Sequence, residues 1–227
     1  MIEEHVNFNS DGMKLEGVLS YDENAVNPPS MLLCPPHPHL SGDMENNVIT
    51  ALGNVLAERG FATLRFNYRG VGGSESRLDN IAEVYEYWEE ILNNDDCSDA
   101  IVDATSAINY LESTVGTNRL FITGYSFGAI VAMMLSVKHA NINAFAVIST
   151  PFGRFDTSFL TDCREPKLFI CADNDFAASI EEVEKGMLNV SEPKILDVIE
   201  SCDHFYIDKE HNVANKVYEF FTSNSST

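Results

Sequence analysis

Apolar and polar positions follow two rhythms along this chain, and each change of rhythm marks an element. Val6 to Phe8 and Lys14 to Tyr21 are short β-like runs joined by Ser10-Asp11-Gly12, where Asp-Gly supplies the positive φ angles of a tight hairpin. Met31-Leu32-Leu33-Cys34 reads as a buried strand ended by Pro35-Pro36, since proline brings no ladder donor. From about Asp43 the spacing becomes helical, with Val48, Leu52, Val55 and Leu56 on one face and a stop at Gly60. Phe61 to Tyr68 is the next strand. Asp99 to Leu111 is a helix, with Ile101, Val102, Ala104 and Ile108 apolar, and Leu120 to Thr123 is a buried strand. A helix from Phe127 to His139, strands at Ala144 to Ser149 and Lys167 to Ala172, and a helix from Ile180 to Leu188 follow. The series closes with a strand from Lys194 to Ile199 and a helix from about Asn212 to Phe221. The polar tail Thr222 to Thr227 is expected to fray.

Strands that alternate with helices, and that are continuously apolar instead of alternating, predict an α/β fold: a mostly parallel sheet covered on both faces, entered through an antiparallel hairpin. With 227 residues, 44% of them apolar, one domain spanning 1–227 can enclose its own core. Ser76 to Asn94 interrupts the alternation. It holds a candidate extra helix from Val84 to Leu92 with aromatic residues on more than one face, suited to packing or to one wall of a pocket.

Charge narrows the partners. The 35 acidic residues against 14 basic ones give a formal charge of −21, a field that repels phosphate backbones and anionic lipid. No nucleic-acid partner is expected, and the carboxylates read as a solvated surface. The opening Met1-Ile2-Glu3-Glu4-His5 has no secretory pattern, and no apolar run is long enough to span a bilayer, so a cytoplasmic protein without membrane insertion is expected. Five scattered cysteines, with no C-x-x-C pair, suggest neither a disulfide framework nor a zinc site.

Gly124-Tyr125-Ser126-Phe127-Gly128 lies directly between an apolar strand and an apolar helix, which is the setting of a nucleophile elbow. A serine in so strained a turn needs neighbours without Cβ, and the helix N-terminus beyond it offers free N–H groups to a developing oxyanion. Serine at its free pKa is a poor nucleophile, so a base and a group that orients the base must follow in the chain. Among six histidines, His204 falls between the last strand and the last helix, where it can reach Ser126 from the carboxyl end of the sheet. Asp173 and Asp175 both stand at the carboxyl end of the strand Leu168 to Ala172. A calcium-loop reading of this pair fails, because Ala177 replaces an oxygen ligand and Ala178 the turn glycine. An oxyanion hole needs two N–H groups: Phe127 offers one, and the loop Pro36 to Gly42 the other, from His39 or else Leu40. His37 and His39 lack a third metal ligand, so no metal and no cofactor is expected. Arg69-Gly70-Val71-Gly72-Gly73-Ser74 lacks the Gly-Lys-Ser ending of a phosphate loop and reads as a turn.

The ordered set P-H-P-H-L-S-G-D-M-E-N-N, F-A-T-L-R-F-N-Y-R-G-V-G-G-S, G-Y-S-F-G-A, F-D-T-S-F-L and C-D-H-F-Y resembles the small bacterial α/β-hydrolases related to dienelactone hydrolase and the serine aminopeptidase group. The resemblance covers nearly the whole chain. It implies the α/β-hydrolase fold with eight strands and a Ser, acid, His order that falls on Ser126, Asp175 and His204. The G-x-x-D spacing of the acid loop selects Asp175 over Asp173. The chain departs from the pattern at Ala172, in place of the usual glycine; in lacking the proline after the acid; at His39, where relatives often carry an apolar residue; and in a lengthened Ser76 to Asn94. Between Ser149 and Lys167, where many relatives insert a lid, only a loop fits. The function implied is a serine hydrolase without a lid, first a carboxylesterase on small or accessible acyl esters. The same machinery serves a thioesterase or an amidase, and a binding protein without turnover could use the same fold. Either a monomer or a homodimer is compatible with the sequence.

Overall fold

Asp11 and Gly12 both take positive φ, 49° and 80°, so the chain reverses between β1 (Ile2–Ser10) and β2 (Met13–Tyr21) and pairs them antiparallel. The computed structural model describes residues 1–116 and 119–224. Along them follow β3 (Ser30–Cys34), α1 (Asn47–Glu58), β4 (Ala62–Phe66), α2 (Ile81–Asn94), α3 (Ser98–Val115), β5 (Leu120–Tyr125) and α4 (Phe127–Lys138). Then come β6 (Ile142–Ile148), β7 (Lys167–Ala172), α5 (Ile180–Met187), β8 (Lys194–Ile199) and α6 (Glu210–Asn224).

The described strands form one eight-stranded sheet in the order β1-β2-β4-β3-β5-β6-β7-β8, antiparallel through β1, β2 and β4 and parallel from β4 to β8. The chain winds outward from β3 in one direction to β4 and then returns to its other side with β5. The loops after β3 and β5 therefore part at the carboxyl ends of neighbouring strands, the place where open α/β sheets bind ligands.

Successive residues of the inner strands serve opposite faces. Leu32 and Cys34 join a core with α3 and α4, while Met31 and Leu33 join a second core with α1 and α6. The expectation of strands covered on both faces holds for β3 to β7, which are buried throughout apart from Asn143, although β4 is not continuously apolar, since it carries buried Thr63 and Arg65; the expectation fails for β8. That strand is the sheet edge, covered mainly on one face, and Ile195 is half exposed.

Helix starts deviate from the apolar spacing where capping residues decide them. Asn46 accepts hydrogen bonds from Val48 N–H and Ile49 N–H, so α1 begins at Asn47 and not near Asp43. Asn80 caps Ala82 and Glu83 in the same way, and Glu83 reaches back to Asp79 N–H and the Asn80 amide, so α2 starts three residues before Val84. Residues 222–224, expected to fray, continue α6, and residues 225–227 lie outside the described part. No helix among the described residues is long and apolar enough to cross a membrane. All five cysteines are buried free thiols.

Candidate active site

At the β5–α4 junction Ser126 takes φ 56° and ψ −117°, a left-handed conformation that costs a non-glycine residue energy and is held by Ser126 N–H donating to the Ile148 carbonyl at 2.9 Å. The glycines around it are there for space. A Cβ on Gly124 would lie 2.0 Å from the Gly128 carbonyl oxygen, and one on Gly128 would lie 2.1 Å from the Cys34 carbonyl oxygen. With both absent, α4 sits directly on β3 and β5 and the serine hydroxyl stands above the strand ends.

His204, between β8 and α6, places Nε2 3.3 Å from Ser126 Oγ and Nδ1 2.9 and 3.0 Å from the two oxygens of Asp175. An ionised carboxylate only accepts, so Nδ1 carries the proton and Nε2 presents its lone pair to the serine hydroxyl. Asp175 follows β7 and is buried. Burial works to raise its pKa, but hydrogen bonds from His204 and Ser149, the charge of His204 and the Ala177 N–H together hold it below the ordinary carboxylate value. Asp173 does a different job: its carboxylate accepts from Ser201 N–H at 2.8 Å and Cys202 N–H at 2.9 Å, pinning the loop that carries His204.

Three hydrogen bonds at this site carry no sequence signal. Tyr125 Oη donates to the His204 carbonyl at 2.5 Å. Ser149 Oγ lies 2.5 Å from Asp175 Oδ2, and Tyr206 Oη lies 2.8 Å from Ser149 Oγ. Each joins residues 26 or more apart in sequence: Tyr125 and Tyr206 fall inside the G-Y-S-F-G and C-D-H-F-Y stretches, but neither stretch shows where the hydroxyl goes, and Ser149 is an isolated serine at a strand end.

The two expected oxyanion donors fare differently. Phe127 is the first residue of α4, so its N–H has no intrahelical acceptor. The expectation for His39 is corrected: its N–H donates to His37 Nδ1 at 3.2 Å, and its ring lies on Tyr85 with centroids 4.2 Å apart. The alternative, Leu40 N–H, donates to the His37 carbonyl at 3.0 Å. Pro38 and the capping His37 wind residues 38–40 into a short 3-10 turn that consumes both amides, a fold-back that single-residue spacing does not reveal.

His37 is 2% exposed, with Nε2 buried and unpartnered and the ring edge-on to Phe127 and Trp88. Burial, with the charges of His39 and Arg154 adding to it, pushes its imidazole down to about 4. The unfolded chain takes up this proton near pH 6.5 and the folded protein refuses it until about pH 4, so stability is whole above that window and drains away as pH falls through it. The loss is roughly 3 kcal/mol across the window. Urea unfolding at pH 6.5 and 4.5 is expected to show a smaller loss in His37→Asn than in the wild type; equal losses would contradict it.

A cavity of about 450 Å³ opens over Ser126 and His204, walled by Pro36, Leu40, Phe127, Pro151, Phe155, Phe176 and Phe205. Helix α2 settles the two readings of residues 76–94 in favour of both. Trp88 is buried and Tyr87 donates to Asp99, while Ile91 and Leu92 from its last turn line the cavity. Arg154 is the one lysine or arginine of the lining and is paired with Asp95 at the end of α2; no aspartate or glutamate lines the cavity among the described residues. Between β6 and β7 the chain forms only loop and the 3-10 turn Ser158–Asp162, with no inserted lid domain; Pro151, Arg154 and Phe155 of this segment form part of the cavity wall.

Comparison with known proteins agrees with this architecture. The family model described as serine aminopeptidase, S33, matches residues 44–175. The uncharacterized protein RP471 of Rickettsia prowazekii (strain Madrid E) is 31% identical over 224 residues, covering 94% of this chain and 86% of that protein. The crystal structure of ATU1826, a putative α/β hydrolase from Agrobacterium tumefaciens, superposes with a TM-score of 0.82 at 25% identity, over 96% of this chain and 95% of that one. An α/β serine hydrolase homologue from Coxiella burnetii gives 0.80 at 24% identity, over 96% and 97%.

Proposed function

Since the chain belongs to the serine aminopeptidase S33 family of α/β serine hydrolases, we propose that it is a carboxylesterase whose nucleophile, base and orienting acid are Ser126, His204 and Asp175. The observation that carries this is the continuous chain of hydrogen bonds from Asp175 through both nitrogens of His204 to Ser126 Oγ, at the floor of an apolar cavity. Ser126 Oγ attacks the ester carbonyl as its proton passes to His204 Nε2, and the Phe127 N–H and the α4 dipole stabilise the oxyanion. His204 returns the proton to the departing alkoxide, which leaves as the alcohol. Water then attacks the acyl-enzyme with His204 again as base, releasing the acid and restoring Ser126.

An ester is favoured over an N-terminal peptide by the lining. An aminopeptidase must place a substrate ammonium, and this cavity offers it no carboxylate among the described residues: beyond Ser126 and His204 its lining is mainly apolar, with neutral Ser41 and Asn46 and the cationic Arg154. A fluorophosphonate probe is expected to label wild type on Ser126. A p-nitrophenyl series from acetate to hexanoate should gain up to about fourfold in kcat/KM per methylene until the cavity fills, from about 0.8 kcal/mol per buried CH₂. Hydrolysis of aminoacyl p-nitroanilides in preference to these esters would move the assignment to a peptidase, and absence of labelling and of turnover would leave a binding protein.

A further inference from the structure

The hydrogen bonds behind Asp175 have a direction. A carboxylate oxygen only accepts, so Ser149 must spend its single proton on Asp175 Oδ2; the Tyr206 hydroxyl, 2.8 Å away, must then donate to Ser149 Oγ. We propose that Ser149 and Tyr206 are positioning residues, a two-hydroxyl relay that sets the orientation and charge distribution of the Asp175–His204 pair. The inference rests on the triad reading given above.

Geometry supports a site built for this. Ser149 and Tyr206 are both fully buried and both hold positive φ, 50° and 56°, a conformation neither side chain favours and one that persists only where surroundings enforce it. Ser149 follows β6 and its N–H donates to the Ile170 carbonyl of β7, while Tyr206 stands two residues beyond His204. The relay thus ties together the end of β6, the loop after β7 and the segment that carries the histidine. Asp175 Oδ1 already accepts from Ala177 N–H and Ala178 N–H as well as His204; Oδ2 has only Ser149 and His204. Without the serine hydroxyl, Oδ2 would be left to the imidazole alone in a buried setting.

The sign of the effect follows from the dipole. Ser149 O–H turns its positive end toward the carboxylate, offsetting part of the negative potential that an imidazolium at His204 feels; removing it makes protonated His204 more stable. The other titratable groups around the pair are Tyr125 from β5, Cys171 from β7, and Cys202 and Asp203 beside the histidine. Burial raises the first three, and Asp203 is common to wild type and variants, so none supplies the difference.

The test is an NMR titration of the His204 ring in wild type, Ser149→Ala and Tyr206→Phe. The expected result is a His204 pKa about half a unit or more higher in Ser149→Ala, with a smaller rise in Tyr206→Phe. A His204 pKa unmoved or lowered in Ser149→Ala would overturn the relay and leave both hydroxyls with a packing role; should that variant not fold, Tyr206→Phe is judged by the same criterion. The titration needs no turnover. An enzyme inert toward esters and probe would sink the proposed function, whereas a normal esterase with an indifferent imidazole would sink only the relay.

Discussion

Ser126→Ala is expected to lower kcat for p-nitrophenyl butyrate by about 10⁴-fold or more, with the protein still folded. In the proposed mechanism the hydroxyl is the atom that bonds the substrate carbon, so no neighbour would substitute for it; what would survive is stabilisation by the Phe127 N–H and binding in the cavity. Folding should hardly respond. Alanine at φ 56° bears much the same backbone strain as serine, and the hydroxyl's approach to His204, at 3.3 Å, is too long to hold much of the fold together. His204→Ala should cost a similar factor, and the double variant should be scarcely slower than either, because groups acting as one unit do not contribute additively. Steady-state kinetics with an unchanged thermal midpoint would establish this; a Ser126→Ala rate equal to wild type would remove Ser126 from the mechanism.

The second large effect lies outside the site. Asp103, fully buried on α3, accepts from Arg69 Nε at 3.1 Å, Arg69 Nη2 at 2.8 Å, the Arg69 backbone N–H at 2.9 Å and Ser10 Oγ at 2.7 Å. It therefore fastens β1, the turn after β4 and α3 to one another. Asp103→Ala is expected to destabilise the protein by about 3 kcal/mol, since it leaves the nearly buried Arg69 guanidinium with Asp99 as its remaining ion-pair partner, 2.8 Å away, and leaves the Arg69 backbone N–H without its acceptor. Given that domains are stable by only about 5–15 kcal/mol, a large part of the margin would go. The paired change Arg69→Met with Asp103→Leu should recover much of the loss, because it removes the buried charge along with its partner. Urea unfolding measures both, and a loss below about 1 kcal/mol in Asp103→Ala would show the network to be dispensable.

How much of this was legible in the chain depends on the range of the interaction. Strands and helices are readable from periodicity because burial repeats every second or every 3.6 residues. Their ends slip where a cap competes with the spacing, as at Asn46 and Asn80. The elbow is legible because steric demand confines Gly124 and Gly128 to within two residues of Ser126. His39 fails as a donor because its amide is claimed by a ring two residues earlier, and only the shape of the turn decides that.

Sequence alone determined the alternating architecture, the place of Ser126 between β5 and α4, and a candidate histidine and carboxylate at neighbouring strand ends, since each follows from local pattern or from residue types in a known order. The family resemblance already pointed to Asp175; tertiary structure alone decided that Asp173 braces the loop of His204, that α2 lends aliphatic residues to the cavity, and that Ser149 and Tyr206 stand behind the carboxylate. Those outcomes depend on distances of a few ångströms between segments far apart in the chain. Hydrogen bonding falls away within about an ångström of misplacement, so they exist only once the sheet has brought the segments together.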